Sequence, residues 1–240
     1  MTAHRATTFL AAFNDIEQHL RSTLNAKNSD SFWWLVDRAR DKHFLSGKQA
    51  EALKDFSNLR NAIAHGRYFD SEPIAEPHEA VLRQISALRD ILLTPPDTLR
   101  ILQPRPVFTL PSSTSILDAF NVIKDEDFSQ IPIYDEGSYT ALLTTNTIAR
   151  WVAADLSDNH LLDAADIADI VKFKEPSDRA IFLARSVSVQ ETMDRLSEPD
   201  SQGHRPCAAI ITEHGKPNEK PLRLVTPADL PALFDALEWE

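Results

Sequence analysis

Five prolines between Pro95 and Pro111 interrupt the sequence and divide two different rhythms of apolar residues. Proline fixes φ and has no amide to donate, so this stretch forbids helix and predicts an extended connector. Two structural units are expected on either side of it, at 1–98 and 107–237.

Before the connector, apolar residues recur only at helical spacing. Phe9, Leu10, Phe13, Ile16, Leu20 and Leu24 mark a first helix, Phe32 to Ala39 a second, and Val81, Leu82, Ile85, Leu88, Ile91 and Leu92 a last. Ser46-Gly47-Lys48-Gln49 has the form of a capping box and opens another helix, which runs to a stop at His65-Gly66. Four helices make a bundle, in which the adjacent Trp33 and Trp34 are large anchors for either a core or an interface.

After residue 107, short β-like runs alternate with helices. Pro132-Ile133-Tyr134 and Thr140-Ala141-Leu142-Leu143 are predicted strands of one module, at 107–156; the run from Cys207 to Ile211 and that from Leu222 to Val225 repeat them in a second, at 172–237. Helices flank each set: Ile116 to Ile123 and Thr145 to Ala154 in the first, Val189 to Leu196 and Pro227 to Leu237 in the second. A period of about 80 residues is too long for a solenoid, so these are two copies of one α/β module. The fold class is α + α/β: an N-terminal helical bundle followed by two tandem βα modules.

Glycine is scarce. The five present are too far apart to write a glycine-rich phosphate loop. The single Cys207 excludes an intrachain disulfide, fits a reducing compartment and, within an apolar run, reads as a core thiol. Without an 18-residue apolar stretch or a signal-peptide core, the chain is expected to be cytoplasmic, with no membrane contact. The histidines other than His65 lack a carboxylate or cysteine cluster at ligand spacing, so no metal is expected. The formal charge of −11 is uneven: residues 1–99 carry 12 basic and 13 acidic side chains, residues 100–240 carry 13 and 23. An acidic half repels nucleic-acid backbones, which leaves the first half as the one able to handle RNA. The acidity of the second half also serves solubility alone.

One polar constellation lies in the helix that ends at His65. Leu53, Phe56, Leu59 and Ile63 form its apolar stripe, leaving Asn58, Asn61 and His65 stacked on another face with Arg60 flanking them. A guanidinium clamps phosphate and an imidazole moves protons near neutral pH, which together can cleave a phosphodiester without metal. The same residues also fit a plain helix end, with His65 favoured by the macrodipole and Gly66 as the residue after the cap. The segment Arg60-Asn61-Ala62-Ile63-Ala64-His65 resembles the Arg-x4-His signature of the HEPN superfamily, over roughly residues 5–93. That resemblance implies a homodimer and a metal-independent endoribonuclease in which the RNA 2′-hydroxyl attacks phosphorus, leaving a 2′,3′-cyclic phosphate. His65 would then be the general acid/base, Arg60 would stabilise the charge on phosphate, and Asn61 would orient His65 or the hydroxyl.

The second constellation is Leu224-Val225-Thr226-Pro227-Ala228-Asp229, a strand-to-helix junction with proline at the first helical position. Thr-x-x-Asp is a near capping box, and the same geometry can seat a phosphate on the helix terminus and ribose hydroxyls on the aspartate. The repeated modules resemble a tandem pair of CBS domains over about residues 100–237. The resemblance implies a regulatory pair that binds an adenosine nucleotide such as AMP or ATP, with no cofactor required. Thr226 carries over as the phosphate-side hydroxyl and Asp229 as the ribose acceptor; Arg205, ahead of a strand, is a candidate phosphate partner. The first copy departs from the pattern, with Thr147 where the aspartate belongs in Thr144-Thr145-Asn146-Thr147 and Arg223 at the usual glycine in the second copy. The leading expectation is therefore a nucleotide-regulated endoribonuclease, in which ligand at Thr226 and Asp229 opens or closes the Arg60/His65 groove. The alternative is a non-catalytic dimeric sensor whose helical domain only mediates dimerisation.

Overall fold

The structure is a computed structural model that describes residues 5–42, 44–65, 75–102 and 105–238. The chain divides into two units, one reaching Pro95 and one spanning Pro96–Ala236.

Four helices build the first: α1 Arg5–Leu24, α2 Phe32–Asp41, α3 Gly47–His65 and α4 Glu79–Leu93. Three-to-four spacing puts Phe9, Phe13, Ile16 and Leu20 on one face of α1, and that face is buried against the other three helices. Phe9 meets Phe56 edge-on at 6.0 Å, and the Phe13 and Phe32 rings lie 4.5 Å apart. Polar side chains fix where helices begin. The Ser31 hydroxyl accepts from the Trp34 amide at 3.2 Å, and Ser46 and Gln49 close the expected capping box in both directions, at 3.2 and 2.9 Å. Trp33 and Trp34, 47% and 45% exposed, stay out of the core; the Lys54 ammonium covers the Trp33 ring at 5.2 Å. The stop expected at Gly66 lies outside the described residues. Among the described residues, no helix is long and apolar enough to cross a membrane.

A single helical turn, α5 Thr98–Ile101, opens the second unit. This corrects the expectation of an unbroken extended connector. Seven residues between Pro96 and Pro104 hold no proline, which leaves room for one turn. The first module then runs α6 Ile116–Glu126, β1 Gln130–Asp135, β2 Ser138–Thr144 and α7 Thr145–Asn159. β1 and β2 form an antiparallel hairpin with Ile133 opposite Ala141, and Leu110 adds a parallel bridge to Ile133. The hairpin turns at Glu136 and Gly137, whose φ values of 49° and 80° need the left-handed region.

α8 Ile167–Ile170 and a 3₁₀ turn, Val171–Phe173, lead to the second module: β3 Ala180–Ala184, α9 Val189–Ser197, β4 Ala208–Thr212 and β5 Arg223–Val225. The closing segment corrects a further expectation. It is no continuous helix from Pro227 but a 3₁₀ turn, Pro227–Asp229, followed by α10 Leu230–Asp235. β4 is the central strand, parallel to β3 and antiparallel to β5, and every residue of it is buried. β3 is not among the strands expected from spacing, because its partner lies beyond a helix rather than across a hairpin turn. The Leu110 bridge is the same leading strand in the first module, reduced to one residue pair.

The two modules exchange their leading turns. Asp97, ahead of α5, bridges Ser188 at the start of α9, and Asp166, ahead of α8, bridges Ser115 at the start of α6. Under α5, the Thr98 and Thr192 hydroxyls meet at 2.7 Å with both residues fully buried. Each module is thus completed by a segment that precedes the other.

Candidate ligand-binding cleft

β5 carries Arg223-Leu224-Val225 into Thr226, and Pro227 presets the backbone of the following turn. Asp229 folds back on this junction. Its Oδ2 accepts from the Thr226 amide at 2.9 Å and lies 3.4 Å from the Thr226 hydroxyl, while Oδ1 accepts from Arg223 Nη2 at 2.7 Å. The Arg223 and Asp229 side chains are 12% and 16% exposed, so the charge-assisted pair is largely dehydrated and holds the carboxylate in one orientation.

The facing wall comes from the first module. Arg105 and Phe108 precede the Leu110 bridge, and Phe128 follows Asp127, whose left-handed backbone (φ 54°) ends α6 and swings the chain toward β1. The Phe108 and Phe128 rings stand 6.0 Å apart, with the Arg105 guanidinium 5.1 Å over Phe128. Together these walls line an open cleft of about 200 Å³. It offers two guanidinium groups, an aromatic face, a hydroxyl and an oriented carboxylate, the set that suits an anionic group joined through a polyol to a planar ring.

Thr226 and Asp229 are brought together as the motif spacing suggested. Arg205 is not brought to them. Its Nε donates to the Ser197 carbonyl at 2.7 Å, drawing the side chain back over the end of α9. Arg105, Phe108, Phe128 and Arg223 line the cleft without having been singled out as ligand-binding residues. For Arg223 the signal was local, an arginine where the resembled family has glycine; for Arg105 nothing in the sequence points across to Asp229.

In the first module, Thr144 caps α7 and accepts from the Thr147 amide at 3.0 Å. Both threonine hydroxyls donate to Asp178, at 2.9 Å from Thr144 and 3.2 Å from Thr147. Arg150 Nη1 lies 3.3 Å from the same carboxylate and also pairs with Glu175, whose amide donates to Asp178 at 2.9 Å. Thr144, Thr147 and Asp178 are all buried.

In the helical unit, Arg60 Nη1 donates to Asn61 Oδ1 at 3.2 Å, and Asn61 is exposed. α3 includes the backbone of His65, but the His65 side chain lies outside the described residues.

Residues 101–154 match the family described as CBS domain. No curated protein matches the sequence. Among solved structures, the chain is similar to a CBS-domain protein from Burkholderia ambifaria MC40-6 assigned to signal transduction, at 16% identity and a TM-score of 0.43, covering 59% of this chain and 93% of that one. A CBS domain pair in complex with 5′-methylthioadenosine and S-adenosyl-L-methionine aligns at 21% identity and a TM-score of 0.42, covering 60% and 100%. A protein in complex with c-di-AMP aligns at 13% identity and a TM-score of 0.43, covering 65% and 93%. The family match, over a stretch that folds into the strands and helices of the first module, shows that this chain carries a CBS domain behind a helical region.

Proposed function

We propose that the unit spanning Pro96–Ala236 is a ligand-sensing regulatory pair of CBS modules whose cleft at Thr226 and Asp229 binds one adenosine mononucleotide, AMP or ATP. The observation that supports this most is the convergence of Arg105, Arg223 and an oriented Asp229 beside the Phe108 and Phe128 rings. The two hydroxyls of a ribose suit the carboxylate, phosphate suits the guanidinium groups and the Thr226 hydroxyl, and a purine suits the aromatic wall. The cleft volume of about 200 Å³ lies below the roughly 300–1,000 Å³ of drug-sized pockets, which favours a mononucleotide left partly in solvent over a dinucleotide. Thermal shift and calorimetric titration with AMP, ATP and c-di-AMP test this on wild type, Arg105→Ala and Asp229→Asn. AMP or ATP should raise the melting temperature, with c-di-AMP weaker. Arg105 is exposed and its removal should leave folding intact while weakening the nucleotide about tenfold, or ~1.4 kcal/mol. A wild-type protein whose melting responds to none of the three overturns the reading.

For the helical unit, the proposal remains metal-independent RNA cleavage by a homodimer through Arg60, Asn61 and His65. The hydrogen bond between Arg60 and the exposed Asn61, near the carboxyl end of α3, supports it. Incubating RNA with wild type and His65→Ala, with and without AMP, should give a product ending in cyclic phosphate that the variant does not make. If neither protein cuts, the unit is a non-enzymatic dimerisation element and the sensor reading stands alone.

A further inference from the structure

We propose that Asp178 is a built-in stand-in for a bound anion, which closes the first module's copy of the cleft and leaves the pair with a single ligand site. The single-site part rests on the nucleotide reading above; the internal anion does not. Leu110 pairs in parallel with Ile133 as Leu183 pairs with Ile211, so Arg105 and Asp178, each five residues earlier, occupy equivalent positions. Thr144 ends the last strand of its module and Thr226 follows that of the other, and each caps the next turn, with Thr147 and Asp229 three residues on.

The carboxylate changes place between the two copies. The open cleft has its carboxylate on the junction, at Asp229, and a cation facing it, at Arg105. In the first copy the junction is Thr147 and the facing residue is Asp178. That carboxylate receives the Thr144 and Thr147 hydroxyls, the Glu175 amide and the Arg150 guanidinium, all within 3.3 Å. Hydroxyls, an amide, an arginine and the amino end of a 15-residue helix are what a phosphate oxygen would meet there. Thr147 is fully buried and Asp178 only 5% exposed, and these donors are spent on the Asp178 carboxylate.

Removing the carboxylate should expose a vacant anion site. Asp178→Gly is expected to lower the melting temperature by at least about 5 °C, as for the loss of one partner from a buried charged cluster. Sodium acetate or inorganic phosphate should restore part of that loss relative to sodium chloride at equal ionic strength. Wild type should show no such recovery, and Asp178→Gly with Arg150→Met should lose it. If Asp178→Gly does not fold, the isosteric Asp178→Asn keeps the proposal open to refutation: Arg150→Met must lower the melting temperature far more in wild type than in that background. Wild-type melting of Asp178→Gly, absence of anion rescue in a folded Asp178→Gly, or an additive pair of substitutions overturns the internal anion. Titration with AMP separates the two readings. One nucleotide per chain fits both, two per chain overturn the closed first copy, and none overturns the nucleotide reading while leaving the rescue result to stand.

Discussion

Asp229 and Arg223 depend on each other in a way that neither residue alone reveals. Once the pair is 12–16% exposed, deleting one member removes the charge-assisted bond while the other charge stays poorly hydrated. Asp229→Asn and Arg223→Met should each cost about 2 kcal/mol in urea unfolding, less than the 3–5 of a fully buried pair, and the double variant should cost less than the sum. Equal and additive losses would mean that the pair is not coupled. Thr226 and Asp229 were legible because a three-residue spacing is a local fact, which the capping geometry then enforces. Arg105 was not, since it stands between two prolines and acquires its meaning only when the chain folds it opposite Asp229. Arg205 shows the converse: its position ahead of β4 suggested the cleft, and a nearer acceptor, the Ser197 carbonyl, took the guanidinium.

Single elements are held in place by a few polar contacts at their ends. Ser46→Ala removes the side-chain acceptor at the start of α3 and is expected to cost about 1 kcal/mol by chemical denaturation, with no change in the other helices. The buried hydroxyl pair under α5 behaves differently. Thr98→Val strands the Thr192 hydroxyl and should cost about 1–3 kcal/mol, whereas Thr98→Val with Thr192→Val should be closer to neutral. A double variant as unstable as the two singles summed would show that shape, not hydrogen bonding, sets this contact. The helices of the first unit and the β1–β2 hairpin could be read from spacing, because their contacts are between neighbours in sequence. β3 could not, for its ladder is formed with β4 across α9, and no short-range pattern encodes a parallel pairing.

For the molecule as a whole, carboxyl and phenol groups of the second unit make stability depend on pH. The His214 amide, then its ring nitrogen, Thr212 and the Lys216 amide hold the Glu219 carboxyl down to about 2, against an ordinary value of 4.5. Backbone amides likewise lower Asp135 and Asp200, through Ser112 for the first and His204 for the second. A depressed carboxyl stabilises the fold above its unfolded value and loses that contribution as pH falls toward the folded one, so melting temperature should decline below about pH 4.5. Glu219→Gln should flatten that acid limb. Burial raises Tyr134 and Tyr139 from 10 to about 12, so stability should also be lost as pH climbs through that interval, with the phenolate absorbance of these two appearing only as the unit opens. With the third tyrosine removed as Tyr68→Phe, phenolate forming at pH 10 in the folded protein would contradict that burial. The sequence by itself determined where helices start, which runs make a hairpin and that Thr226 and Asp229 share a junction, because each depends on residues a few positions apart. Only the tertiary structure decided that β3 joins β4, that the modules trade their leading turns, that Arg105 faces Asp229 and that Asp178 fills the other copy. Those contacts join residues from about thirty to well over a hundred positions apart, whose meeting depends on how the whole sheet and its helices pack rather than on any local preference.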